Sequence, residues 1–139
     1  MLLAGVEVDR ERGLIATSDG DVVAHAVADA LLGATALGDL GTFFPSSDPQ
    51  WENADSMVLL RRVVEMADGV KWRPSFCDVT AVSQSVRVAP HREEVRTALA
   101  GALGLSVGQV SVKATTTDGL GWVGRDLGIA AVAAVTVVR

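Results

Sequence analysis

The sequence predicts an α+β domain in which a mixed sheet packs against about three helices. Apolar residues recur at helical spacing in three separate runs, short Val-rich segments between and after them read as strands, and Gly, Pro, Asn and Asp punctuate the boundaries. The 139 residues, 49% of them hydrophobic, suffice for one core and leave no room for a second domain. No internal repeat, linker or low-complexity tract interrupts them.

Leu2 to Val8 reads as a first strand, followed by the charged turn Asp9 to Gly13 and a short extended piece at Leu14 to Ala16 that can complete a hairpin. Ser18-Asp19-Gly20-Asp21 precedes a run with apolar positions at Val22, Val23, Ala26, Val27, Ala30, Leu31 and Ala34, the spacing of a largely buried helix. Asp19 or Asp21 can cap it, and Gly38 marks its expected end. Asp39 to Asn53 is a Gly-, Pro- and Ser-containing loop, unusually long unless it has a task, and so the first candidate for a substrate loop. Asp55 then caps a second helix, with Val58, Leu59, Val63 and Met66 on its apolar side, Arg61, Arg62 and Glu65 on the polar side, and Gly69 at its end. Phe76 to Ser83 reads as a strand. Pro90 starts a third helix through Val95, Ala98, Leu99, Ala102 and Leu103, which Gly104 stops. Val110 to Ala114 forms a strand leading into a threonine- and glycine-rich loop, and Ile129 to Val138 forms the last strand. That last strand is almost continuously apolar, so both faces need cover from helices of this chain or from another subunit, and an oligomer is expected.

Acidic residues outnumber Lys and Arg by 17 to 12, giving a formal charge of −5 and no basic surface for a nucleic-acid backbone. The single cysteine, Cys77, rules out an intrachain disulfide and reads as a buried small hydrophobe. The two histidines, His25 and His91, exclude a three-imidazole site within one chain. Met1 to Val8 lacks the features of a secretion leader, and Leu127 to Val138 is shorter than the roughly 20 residues of a membrane helix, so a cytoplasmic, membrane-free protein is expected.

Two clusters can carry chemistry. Asp21, His25 and Asp29 are spaced four apart along one helix face, so a carboxylate can orient the imidazole for metal binding or proton transfer; the plainer alternative is a pair of caps and a satisfied histidine. Thr115-Thr116-Thr117-Asp118-Gly119-Leu120-Gly121 combines hydroxyls, flexible backbone and a carboxylate, with Lys113 upstream and Arg125 downstream. Such a segment can hold a diphosphate through amides and hydroxyls while Asp118 holds a divalent cation, or it can be an ordinary loop; it lacks the Gly-Lys-Ser/Thr ending of a Walker loop. His91, after Pro90 at a helix start, reads as a surface cap.

Three stretches, taken together and in order, are specific: Ser18-Asp19-Gly20-Asp21-Val22 through His25-Ala26 and Asp29 to Gly33; Leu37-Gly38-Asp39-Leu40-Gly41 with Phe44-Pro45 and Asp48-Pro49; and Lys113 through Gly121 with Gly124-Arg125. With them the chain resembles the 2-C-methyl-D-erythritol 2,4-cyclodiphosphate synthases of the non-mevalonate isoprenoid pathway over nearly its whole length. The resemblance implies a homotrimer with active sites between subunits. It also implies a phosphoryl transfer in which a 2-phosphate attacks within a cytidine diphosphate ester, closes a cyclic diphosphate and expels CMP. By the same resemblance His25 is a zinc ligand and Asp118 holds a Mg²⁺ or Mn²⁺ beside the diphosphate, with Asp118 and Thr116 in catalytic roles. Ser18, Asp39 and Gly41 fall near the methylerythritol phosphate, and Asp48 is a further substrate-binding position. Thr115, Thr116 and Thr117 fall on the diphosphate and cytidine side, Arg87 and Lys113 are further substrate-binding positions, and Arg125 belongs to the trimer interface.

The chain also departs from the family pattern. It starts at the strand after the Gly-x-Asp-x-His segment that supplies the other two zinc ligands, so a single domain over 1–139 without that strand is expected, with zinc weak or absent if the protein is truly this short and bound as usual if an amino-terminal segment precedes it. Thr17 replaces a histidine, Ser46 an acidic residue, and Val86-Arg87 a Pro-Lys pair. The lysine-to-arginine change keeps the charge and alters the donor geometry. The alternative reading is therefore an impaired or inactive homologue that binds cytidine nucleotides or serves as a structural subunit, pairing even with a complete paralogue.

Overall fold

The computed structural model describes residues 1–14 and 18–139. A small hairpin comes first: β1 (Leu2–Leu3) pairs antiparallel with β2 (Val6–Glu7). Ala4 and Gly5 turn between them at φ 50° and 74°, the two left-handed residues that a two-residue hairpin requires. The expected continuous strand over Leu2 to Val8 is therefore folded back on itself. Leu14 has no regular structure, and the rest of the extended piece expected at Leu14 to Ala16 lies outside the described residues, as does Thr17.

Among the described residues the main sheet has three strands. β3 (Arg73–Val82) is central, parallel to β4 (Val110–Thr115) and antiparallel to β5 (Ala130–Val138). β3 starts three residues earlier than the sequence suggested, reaching through Pro74. Proline is tolerated there because pairing with β4 begins only at Cys77, so Pro74 lies where β3 is still an edge, beside an irregularity between Pro74 and Phe76.

Three long helices follow the sequence periodicity: α1 (Val22–Ala34), α3 (Ser56–Gly69) and α4 (Arg92–Leu103). α1 packs on β5 and β3, α3 packs on α1, and α4 covers β4. Their apolar stripes meet the inward row Val79, Val112 and Ala133 and its neighbours in one hydrophobic core. Leu31, Leu60, Val63, Val95 and Leu99 are fully buried in it. Cys77 lies there as expected, and burial, reinforced by the charge of Asp78, pushes its thiol up to about 11. α1 ends four residues before Gly38, because the Thr35 hydroxyl donates to the carbonyls of Leu31 and Leu32 and Ala36 turns left-handed. Gly104, at φ 69°, ends α4 as expected.

The expected loop from Asp39 to Asn53 contains a one-turn helix, α2 (Leu40–Phe43), and a 3₁₀ turn at Pro49–Trp51. Another 3₁₀ turn, Ala89–His91, leads into α4. His91 occupies the N-cap position without making a side-chain capping bond, contrary to the capping role expected of it. A last short helix, α5 (Gly121–Gly124), follows the threonine loop.

Among the described residues no helix packs on the opposite face of the sheet. Within the single chain β5 is covered by α1 on one side and open on the other, where Val132 is 67% exposed. Lys113 and Asp78 pair there at 2.9 Å.

Candidate functional site

Asp21 sets the geometry at the start of α1. It is fully buried, and its carboxylate accepts from the amides of Ala4 (2.9 Å), Gly5 (2.7 Å) and Ala24 (2.9 Å), so one side chain caps α1 and anchors the hairpin turn. Burial raises its carboxyl above the ordinary range, while those three amide bonds pull the other way. Asp19 reaches instead to α3, where its Oδ2 accepts from the Ser56 amide at 3.0 Å and its Oδ1 accepts from the Ser56 hydroxyl.

His25 lies one turn into α1. Its Nε2 is 2.8 Å from Ser56 Oγ and 3.1 Å from Ser18 Oγ. As a carboxylate Asp19 only accepts, so the Ser56 hydroxyl proton goes to Asp19 and the Ser56 oxygen is left to accept from His25 Nε2. This corrects the expected carboxylate partner on the same helix face. Asp21 is turned to the hairpin, and Asp29 accepts from the Leu40 amide at 2.8 Å, tying α1 to α2.

Beside His25 a cavity of about 260 Å³ opens between α1, α2 and the following turn, walled by Ser18, Gly41, Phe44 and Trp51. The Phe44 and Trp51 rings meet edge to face, 4.9 Å apart, and fix that wall. Asp39 caps α2 through the Thr42 amide and hydroxyl, and the Thr42 hydroxyl bond in particular lowers its carboxyl. Asp48 caps the 3₁₀ turn through Gln50 and does not line the cavity. Ser56 and Trp51 were not singled out from the sequence. Ser56 was legible only as the residue after a helix cap, and the partner that gives it a role lies 31 positions away.

The second cluster is built differently. Thr115 to Asp118 is mostly exposed, and Asp118 and Gly119 are both left-handed, at φ 51° and 81°. The Asp118 amide donates to Thr116 Oγ1 at 3.1 Å, and the Thr117 hydroxyl to the Leu120 carbonyl at 2.6 Å. Gly124 presses on the turn: a Cβ there would stand 2.1 Å from the Gly119 carbonyl carbon. Lys113 is engaged with Asp78 rather than with this loop, Arg125 contacts the Gly121 carbonyl at 3.4 Å, and Arg87 is exposed between buried Val86 and Val88. No hydrogen bond among the described residues joins the threonine loop to the His25 cavity.

A sequence model of the YgbB family matches residues 1–138. A Salinibacter ruber 2-C-methyl-D-erythritol 2,4-cyclodiphosphate synthase is 52% identical over 137 residues, covering 99% of this chain and 87% of the relative. The chain belongs to the YgbB family of 2-C-methyl-D-erythritol 2,4-cyclodiphosphate synthases. The solved structures agree with this family fold. The bifunctional IspDF of Campylobacter jejuni superposes with a TM-score of 0.95 at 37% identity, over 99% of this chain and 37% of that longer one. A 2C-methyl-D-erythritol-2,4-cyclodiphosphate synthase in its CDP-bound form superposes with a TM-score of 0.88 at 28% identity, over 99% of this chain and 89% of that one. Among the described residues no helix of this YgbB-family chain is long and apolar enough to cross a membrane.

The two metals implied by the family fit the chain unequally. Among the described residues no three His, Cys, Asp or Glu side chains converge as ligands, and Asp19, the carboxylate tied into the His25 network, is already occupied by Ser56. A tetrahedral zinc site needs three or four protein ligands, so these residues by themselves do not fit one. Asp118 fits the other ion: Mg²⁺ is commonly held by one or two carboxylates together with substrate phosphates, and this carboxylate is exposed beside three threonines.

Proposed function

We propose that the chain cyclises 4-diphosphocytidyl-2-C-methyl-D-erythritol 2-phosphate to 2-C-methyl-D-erythritol 2,4-cyclodiphosphate and releases CMP. The observation that carries this reading is the 52% identity, over nearly the whole chain, to a relative bearing the name of that synthase. An oxygen of the 2-phosphate attacks the phosphorus nearer the sugar alcohol, and the bond from that phosphorus to the oxygen bridging to CMP breaks, with the electron pair leaving on CMP. No covalent enzyme intermediate is needed, so positioning and charge stabilisation carry the rate.

The residues divide that work. Ser18, Asp39 and Gly41, at or beside the 260 Å³ cavity next to His25, receive the methylerythritol phosphate, with Asp48 in the adjoining turn. Thr115, Thr116 and Thr117 hold the diphosphate and cytidine side with hydroxyls and amides, assisted by Arg87 and Lys113. Asp118 holds a Mg²⁺ or Mn²⁺, which neutralises phosphate charge when bound. In this reading the working unit is a homotrimer whose sites lie between neighbours. The open sheet face with Val132 and the exposed Arg125 supply surface for that contact.

The test is CMP release from the cytidine diphosphate ester in the presence of Mg²⁺ and Zn²⁺. Asp118→Asn keeps a side chain that tolerates the left-handed backbone and removes the charge, so kcat/KM is expected to fall by about 100-fold or more with the fold intact. A wild-type chain that releases no CMP overturns the proposed reaction. An Asp118→Asn chain that matches the wild type overturns the role of Asp118.

A further inference from the structure

We propose that Gln84 is a positioning residue for Asp118, holding the turn that presents its carboxylate; the inference rests on the function proposed above. Asp118 is not a glycine, yet it takes a left-handed conformation that L side chains adopt at a cost, and Gly119 follows in the same region. Two side-chain acceptors hold the consecutive amides of this turn. Thr116 Oγ1 takes the Asp118 amide from within the loop, at 3.1 Å. Gln84 Oε1 takes the Gly119 amide at 3.1 Å, and it comes from the bend just after β3, 35 positions away.

The neighbours of Gln84 hold the two ends of the same loop. The Ser83 amide donates to the Thr115 carbonyl at 3.0 Å where the loop begins. The Ser85 hydroxyl meets the Asp126 carboxylate at 2.7 and 2.6 Å beyond α5, and Arg12 joins both of those residues, at 2.6 and 2.9 Å. Three consecutive residues therefore grip the entry, the turn and the exit. Of the three, only Gln84 reaches the turn that carries Asp118. The residue Gln84 grips is also tightly approached from within the loop, since a Cβ at Gly124 would stand 2.1 Å from the Gly119 carbonyl carbon. A neutral amide also suits the place. A carboxylate there would accept the same bond but add a second negative charge beside Asp118, opposing the diphosphate.

Gln84→Met removes the acceptor at nearly constant size, and Gln84→Glu restores an acceptor. In the full chain, amide exchange at Gly119 read by NMR is expected to speed up about tenfold in Gln84→Met and to return toward the wild-type rate in Gln84→Glu. Calorimetry with CDP, with and without Mg²⁺, is expected to show the Mg²⁺-dependent gain in affinity reduced about fivefold in Gln84→Met, with affinity in the absence of Mg²⁺ unchanged. A general loss of structure would instead lower both affinities together. Wild-type exchange at Gly119, or a full Mg²⁺-dependent gain, in Gln84→Met overturns the proposal. A wild-type chain that shows the Mg²⁺-dependent gain but releases no CMP overturns the proposed reaction and leaves Gln84 in its positioning role; one that shows no such gain overturns both.

Discussion

The His25 cavity and the threonine loop are both polar clusters at the ends of regular elements, yet they are held by different physics. Around His25 the determining groups are buried: Asp21 is wholly enclosed, Ser56 is 1% exposed, and their bonds run between elements far apart in sequence. Around Asp118 the groups are exposed, two successive residues are left-handed, and most bonds are local. A buried hydrogen-bonded network cannot change one member without leaving another unsatisfied, so the cavity is coupled to the stability of the whole fold. An exposed turn lacks that coupling. It can be altered at small global cost, and its shape must be held by a few specific contacts.

The largest effect expected from this contrast is at Asp21. Asp21→Ala removes the acceptor of three backbone amides in the interior, at Ala4, Gly5 and Ala24, and should cost about 3 kcal/mol in urea unfolding. Asp21→Asn keeps part of the capping and should lose less. A loss below about 1 kcal/mol for the alanine variant would mean that the hairpin and α1 are not joined through this residue, and the distinction between the two regions would fail.

A smaller loss of stability, with a larger local consequence, is expected at Gly124. Its φ is not in the left-handed region, so an alanine there is opposed only by contact: the methyl would stand 2.1 Å from the Gly119 carbonyl carbon and 2.6 Å from its oxygen. The turn must move to admit it. Gly124→Ala should cost about 1–2 kcal/mol of stability, as overpacking at a yielding site does, while lowering CDP affinity in the presence of Mg²⁺ about tenfold. Equal and large losses of stability at Asp21 and Gly124 would show that the loop is as tightly coupled to the core as the cavity is.

What could be read from the sequence follows the same division. Elements set by periodicity and caps were legible: Asp21 before α1, Asp55 before α3, Gly104 after α4, and the Val-rich β4 and β5. Asp118 and the threonines were legible as a cluster because they are contiguous. The partners of His25 were not, because helical spacing points to Asp21 and Asp29, whereas Asp21 finds three amides in the hairpin turn and Asp29 finds α2. Periodicity gives the face a side chain lies on and says nothing of competing donors from distant segments. Gln84 escaped for the same reason, since its partner at Gly119 is brought near only by the parallel pairing of β3 with β4.

The smallest effect compares the exposed carboxylate that caps α2 with the buried one that caps α1. Asp39 is exposed where Asp21 is buried, and their carboxyls shift in opposite directions: the Thr42 hydroxyl and amide lower that of Asp39, while burial raises that of Asp21. For Asp39 the unfolded chain, with an ordinary value of 3.8, takes up a proton before the folded chain does. Its contribution to stability is therefore present above that value and is lost as the pH falls through the lower folded value. Asp39→Asn keeps an oxygen that can cap Thr42 and does not titrate in this range. The wild type should hold a small, constant advantage in urea midpoint over Asp39→Asn above about pH 5 and lose it as the pH falls below the unfolded value. Asp21 is present in both proteins, so its opposite shift cancels in the difference. An advantage that grew toward acid would mean that Asp39 behaves as a buried carboxyl, and that the α2 cap belongs with the core rather than with the exposed loop.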